Sequence, residues 1–394
     1  MERKPNLAEK IKLFSVRFSI FFLNAILDLV SLVLWNFNRI KNPKNILVYK
    51  NGNIGDIVCA IPSFIAIRKN YPGPKITFLT SPGKKGNVGA RELLSGASYF
   101  DETIVYYAED ISSRERRSAF FKKLKAKKFD LFIQLPDDWA TFPTMVRNMV
   151  FARILRVRAG YGFRIRGILN LFRKTQVDFT ESESEVTGLL RLLRQYGIKS
   201  QEPEFDFDLT EEEKRKGENL WPANWNKEKE LIVAIAPGAS LDEKQWPIER
   251  FAKTALYLQE NYGAKFVFLG GPGDISKIEE VRKVLDMDKT FLYAGKLNLR
   301  ENFLVLQRSS FLIANDSGMM HIAAAAGVPV VALFTIRNIL GRWFPYGQDH
   351  EILYHRFMDC NYRDPSCFKL SIEAITLKEV EEACKRLISK LNRN

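Results

Sequence analysis

FLIANDSGMMHIAAAAGVPVVALF, residues 311–334, is the stretch on which the fold turns. Phe311 to Ala314 reads as a buried strand, and Val328 to Phe334 as the strand that follows it. Between them a short polar loop opens a helix made almost wholly of alanine, small enough to pack close to a sheet. The first turn of such a helix has free N–H groups and a partial positive charge, a natural seat for a diphosphate. Backbone from Ser317, Gly318, Met319 and Met320 would line that seat, with Asp316 beside it to hold a sugar or ribose hydroxyl and His321 in the first turn. A well-capped helix in any α/β domain has the same look, so the rest of the chain must decide.

Two further segments repeat the strand–loop–helix theme. ILVYKNGNIGDIVCAIPSFIAIRK, residues 46–69, is strand, glycine turn and helix, with Asp56 at the hand-over. It lacks the third glycine of a dinucleotide fingerprint and the Gly-Lys-Ser/Thr of a nucleotide-triphosphate loop. Asp56 reads either as a helix cap or as a carboxylate at the carboxyl end of a parallel strand, where open α/β sheets bind ligands. LIVAIAPGASLDEKQWP, residues 231–247, gives a strand and then a loop through Gly238, Ala239, Ser240 and Lys244. A helix from about Ile248 to Asn261 and a strand from Lys265 to Leu269 follow, ending in the turn Gly270-Gly271-Pro272-Gly273-Asp274.

With 394 residues, the chain exceeds one ordinary domain, and its 46% apolar content can fill two cores of roughly 170 residues each. Strands alternate with helices in both halves, which predicts parallel sheets covered on both faces. The polar stretch from Lys199 to about Glu213 marks the junction. The expected organisation is a helical segment over 1–42, a first Rossmann-like domain over 43–205 and a second over 206–394. The last helix, about Thr376 to Leu391, is expected to cross back to the first domain.

The three segments together resemble the lipopolysaccharide heptosyltransferases, glycosyltransferase family nine. The resemblance rests on Ile54-Gly55-Asp56, Lys244-Gln245-Trp246-Pro247 and Asp316-Ser317-Gly318-Met319-Met320-His321, in that order, and covers about residues 44–390. It implies the GT-B architecture: two Rossmann-like α/β domains facing a central cleft. It also implies an inverting transfer in which Asp56 takes the proton of the attacking hydroxyl and Lys244 neutralises the leaving diphosphate. The donor would lie on Gly238, Ala239, Ser240, Gly271, Asp274, Asp316, Ser317, Gly318, Met319, Met320 and His321, with Asp274 matching an acidic nucleotide contact. Lys50, Asn53, Arg164 and Arg166 would face an acidic glycolipid acceptor. The donor implied is ADP-heptose, a substrate, so no cofactor is expected, and no metal either. UDP or GDP sugars would suit the same phosphate loops.

Before the first domain, Phe18 to Trp35 is nearly all apolar, broken by Ser19, Asn24, Asp28 and Ser31. Eighteen residues are the lower edge of a membrane span, and Asp28 near the middle is costly there. Asn24, Asp28 and Ser31 share one helical face, and Lys or Arg flank both ends. The expectation is a helix lying on the cytoplasmic membrane face, its basic flanks on anionic lipid. A single span and a helix packed on the protein's own surface are the alternatives.

A net charge of +14 asks for an acidic partner. From Arg147 to Lys174 there are eight Lys or Arg and no acid, interleaved with aromatics. Arginine suits phosphate and carboxylate, and no nucleic-acid module is recognisable, so an acidic lipid is expected rather than nucleic acid. Four cysteines make no disulfide framework and point to a reducing compartment. Cys360 and Cys367 are close enough to pair or to be remnants of a metal cluster, and the three histidines have no metal spacing. No Gly-x-Ser-x-Gly elbow is present. A non-catalytic sugar-nucleotide or lipid binder, and a GT-B sugar-nucleotide epimerase, remain open as alternatives.

Overall fold

The computed structural model describes residues 7–35, 40, 42–83, 85, 89–137, 139–166, 182–226, 228–338, 340–355 and 364–391. Two compact units emerge, divided after Asp208, with residues 182–184 belonging to the second. In the first, β1 (Asn45–Tyr49), β2 (Lys75–Thr80), β3 (Glu102–Val105), β4 (Leu131–Gln134) and β5 (Ala159–Tyr161) form a sheet in the order β3-β2-β1-β4-β5. In the second, β6 (Ile232–Ala236), β7 (Lys265–Phe268), β8 (Thr290–Leu292), β9 (Phe311–Asn315), β10 (Val330–Phe334) and β11 (Glu351–Tyr354) run β11-β10-β9-β6-β7-β8. Every pairing is parallel. This is why β6, β9 and β10 read as continuous apolar runs: helices cover both faces, and all their residues are buried.

The strand orders place the chemistry. In each sheet the order of strand addition reverses at one pair, β1 and β4 in the first and β6 and β9 in the second. Ligands of open parallel sheets bind beyond the carboxyl ends of the strands at such a switch. Lys50 follows β1, Asp137 lies three residues past β4, and Pro237 and Asp316 directly follow β6 and β9.

The N-terminal helix, Leu7–Trp35, belongs to the first unit. Leu27 and Trp35 enter a core with Leu47, Phe132 and Met149. Trp35 stacks on Phe163 at 5.5 Å, and Phe163 stacks on Phe132 at 5.6 Å. The indole N–H of Trp35 donates to the Val157 carbonyl at 3.2 Å. The polar face expected from the sequence turns toward the protein. Asn24 exchanges two hydrogen bonds with the backbone of Ile165, at 3.1 and 2.9 Å, and Asp28 pairs with Arg164 at 2.9 Å.

The last helix, Leu377–Leu391, does not cross back. Val380, Ala383, Cys384, Leu387 and Ile388 pack in the second unit's core with Val233, Phe251 and Leu333. Its apolar stripe predicts that it must be covered, but not by which domain.

Candidate functional site

In the first unit, β1 delivers Lys50 into the protein interior, where its side chain is wholly buried. A buried ammonium needs partners. It finds three carboxylates: Asp137 at 3.1 Å, Asp56 at 3.9 Å and Glu185 at 4.0 Å. Glu185, also fully buried, is the first residue of the helix Glu185–Gln195 and takes a second cation, Arg166, at 2.8 Å. Burial works against the charge on Lys50, but Asp137, Asp56 and Glu185 together push its pKa above the ordinary lysine value.

Asp56 is the third residue of the helix Ile54–Asn70, and its Oδ2 accepts the backbone N–H of Asn53, the N-cap, at 3.0 Å. Gly52 makes this possible. Its φ is +143°, and a Cβ there would lie 2.4 Å from the Cβ of Asp56. Burial, helped by Asp137 and Glu185 and opposed by Lys50 and the Asn53 amide, raises the Asp56 pKa to about 6. Its side chain is 21% exposed. A carboxylate near pKa 6 that solvent still reaches is suited to accept a proton at neutral pH. Beside it, Asn51 donates to the hydroxyls of Tyr49 and Tyr106, which lie 2.9 Å apart.

In the second unit Asn315, at the end of β9, joins two loops. Its side-chain oxygen accepts the Trp246 N–H at 3.1 Å, and its amide donates to the Pro237 carbonyl at 2.6 Å. The indole of Trp246 is buried and donates to the Ile375 carbonyl at 2.9 Å. Lys-x-Trp-Pro is therefore an anchor: Trp246 fixes the turn that presents Lys244. The Lys244 ammonium sits 2.6 Å from Asp316 Oδ2, which also accepts from Asn338 at 2.6 Å. Behind them the helix Gly318–Ala325 begins, and the buried Ser317 hydroxyl at its N-cap has no hydrogen-bond partner among the described residues.

Several expected ligands do other work. Asp274 braces the loops: its Oδ2 accepts the Gly271 N–H at 2.8 Å, so that amide is not free for phosphate. Gly238 leaves the space for this carboxylate, since a Cβ would lie 2.3 Å from its Oδ1. The side chains of Met320 and His321 turn into the core, leaving their backbone to the helix. Burial, with the nearby Lys244 charge and against the pull of Asp316, lowers the His321 pKa to about 4, so the ring is neutral. Of the residues expected to meet an acceptor, Arg164 is bound to Asp28, Arg166 to Glu185, and Lys50 is enclosed by its three carboxylates. Asn53 is exposed, as are Ser240 and Gly271, while Gly238, Ala239, Ser317, Gly318 and Met319 are half-buried. Cys367 is buried and unpaired; Cys360 lies outside the described residues.

Sequence reading missed Asp137, Glu185, Asn315 and Asn338. The first two are separated from Lys50 by 87 and 135 residues. Asn315 was legible as a polar residue ending an otherwise apolar strand.

Lipopolysaccharide core heptosyltransferase OpsX of Haemophilus influenzae is 23% identical over 309 residues, 77% of this chain and 82% of that one. Lipopolysaccharide heptosyltransferase 3 of Escherichia coli K12 is 27% identical over 300 residues, 71% of this chain and 79% of that one. Among solved structures, a family 9 glycosyl transferase from Veillonella parvula superposes with a TM-score of 0.68 at 22% identity, covering 88% of this chain and 98% of that one. The ADP-heptose lps heptosyltransferase II of E. coli gives 0.61 at 20% identity, covering 88% and 99%. Both likenesses place the two parallel-sheet units in the GT-B fold class. The pattern of glycosyltransferase family 9 (heptosyltransferase) matches residues 117–364, well over half of the sequence, and the chain belongs to that family.

Proposed function

We propose that the protein is an inverting glycosyltransferase that moves heptose from ADP-heptose onto a lipopolysaccharide core or related acidic, lipid-linked acceptor at the cytoplasmic face of the membrane. The observation that carries this is Asp56, partly open to solvent, held by the Asn53 amide and with its pKa raised to about 6. An acceptor hydroxyl attacks the anomeric carbon from the face opposite the diphosphate. The new carbon–oxygen bond forms as the bond to the diphosphate breaks, the hydroxyl proton passes to Asp56, and ADP leaves. This inverts the anomeric centre. Negative charge grows on the leaving diphosphate, and Lys244, drawn off Asp316, neutralises it together with the amides that open the helix Gly318–Ala325. With a lysine and a helix terminus carrying that charge, the transfer is proposed to need no metal.

The test is ADP release and acceptor glycosylation over a panel of ADP-, UDP- and GDP-sugars, with and without chelator, for the wild type and Asp56→Asn. The expected result is transfer from ADP-heptose that survives chelation. Asp56→Asn should still bind the donor and lose about a thousandfold or more in kcat. Donor conversion without an acceptor would instead identify an epimerase, and unchanged transfer by Asp56→Asn would remove the base from the mechanism.

A further inference from the structure

Three helices cover the same side of the first sheet. The N-terminal helix Leu7–Trp35, the helix Phe142–Ile154 and the helix Arg114–Lys125 contribute Leu27, Met149 and Leu124 to one core, and Phe121 meets Phe151 at 5.3 Å. Their outer surfaces differ sharply. The N-terminal helix exposes Phe14, Phe18, Phe21, Phe22, Leu29 and Val33, each more than half open, at three- and four-residue spacing along one stripe. From Phe14 to Val33 that stripe is about 28 Å long. The one acid between Phe14 and Val33, Asp28, lies at its edge and is neutralised by Arg164, and Arg17 is exposed beside it. The neighbouring helix exposes Val150 and Ile154 beside Arg147 and Arg153. The third exposes Arg114, Arg116, Arg117, Lys122, Lys123 and Lys125 against the single acid Glu115.

We propose that this layer is a monotopic docking surface for an anionic bilayer, with the N-terminal helix lying in the membrane plane rather than crossing it. An apolar stripe that enters the acyl boundary, bordered by arginine and lysine at headgroup level, is the composition that binds such interfaces. Length and hydropathy alone would allow a span: an 18-residue window within Phe14–Trp35 has a mean hydropathy of 2.1. The packing argues against it. A spanning helix offers its whole circumference to lipid, but here one side is committed to the folded domain. Val16, Leu27 and Trp35 are buried, Asn24 exchanges two hydrogen bonds with Ile165, and Asp28 is paired with Arg164. Crossing would break all of these and leave Asn24 and Asp28 in hydrocarbon. The inference rests on the membrane location proposed above but not on the identity of the sugar.

The experiment uses the full chain with phosphatidylcholine vesicles, plain or containing phosphatidylglycerol. Wild type should sediment with the anionic vesicles, and less so at high salt. Phe18→Ser with Phe22→Ser should lower the affinity about a hundredfold. Lys122→Glu with Lys123→Glu should lower it at low salt and converge with wild type at high salt. Unchanged ADP binding and thermal unfolding show that both variants are folded. Fluorophores placed through Phe18→Cys, Phe22→Cys, Leu29→Cys and Val33→Cys should report one shallow depth with lipid-borne quenchers. A profile deepest at the middle positions would establish a span and overturn the proposal. Loss of vesicle binding together with a stable dimer would give the stripe to a second copy and overturn it equally. Vesicle binding that holds while no heptose is transferred would leave this inference standing and sink the sugar assignment alone.

Discussion

Replacing Lys50 with Met should move the acid limb of kcat/KM toward higher pH, and replacing Asp137 with Asn should move it the other way. The Lys50 ammonium is 3.9 Å from Asp56 Oδ1. At an effective dielectric of about 20 this separation is worth roughly 4 kcal/mol, or about three pKa units. Solvent reaches a fifth of the Asp56 side chain (21% exposed), which brings the expected shift down to about one to two units. The limb, set near pH 6 by the wild-type Asp56, should then fall between roughly 7 and 8 in Lys50→Met. At pH 7 titration alone would cost about two- to tenfold in rate, recovered by pH 9. Asp137 acts with the opposite sign, because its negative charge raises the Asp56 pKa. Asp137→Asn should therefore lower the limb. Both variants should fold: Glu185 keeps Arg166 when Lys50 is lost, and the Asp137 side chain is 42% exposed. The assay is ADP release from ADP-heptose at subsaturating acceptor between pH 5 and 9. Limbs that stay in place, or move in the same direction, would show that Asp56 is not the titrating base.

Gly238→Ala puts a Cβ 2.3 Å from Asp274 Oδ1, forcing the carboxylate off the Gly271 amide. ADP binding measured by calorimetry should weaken about tenfold or more, with acceptor KM little changed. His321 is held neutral with a pKa of about 4, whereas an unfolded histidine titrates near 6.5. Between those values the unfolded chain takes up a proton that the native protein refuses. Stability is therefore lost as pH falls from about 6.5 toward 4, by up to about 3 kcal/mol, and His321→Gln should flatten that slope in urea titrations. Asp56 has the opposite sign. Its native pKa lies above the unfolded value of 3.8, so stability falls as pH rises from there to about 6. Asp56→Asn should accordingly raise the melting temperature at pH 8 even as it stops transfer, and a lower melting temperature would contradict the burial argument.

The sequence made the local units readable because their signals are short-range. An apolar run, a small polar loop and a capped helix lie within some twenty residues, so β1, β6 and β9 and the residues just past them could be located. The charged cluster could not. Lys50, Asp137 and Glu185 meet only because β1 and β4 are neighbours and the helix from Glu185 packs on that from Ile54. Arginine-rich composition at 164 and 166 suggested a ligand surface, but composition does not reveal internal carboxylates already waiting for those guanidinium groups. Asp274 illustrates the same limit: an acid in a glycine turn does not reveal from sequence that one of its oxygens holds the turn's own N–H.

The grip of Asn24 and Asp28 on Ile165 and Arg164 ties the N-terminal helix to the residue next to Arg166, whose partner Glu185 lies against Lys50. The helix is consequently no detachable appendage. Trimming it to obtain a freely soluble enzyme would leave the Ile165 backbone without both of its Asn24 bonds, free the Arg164 guanidinium, and open the slot that Trp35 fills beside Phe163. Losing the helix would therefore disturb not only its own surface but also the segment just after β5 that leads to Arg166 and Glu185.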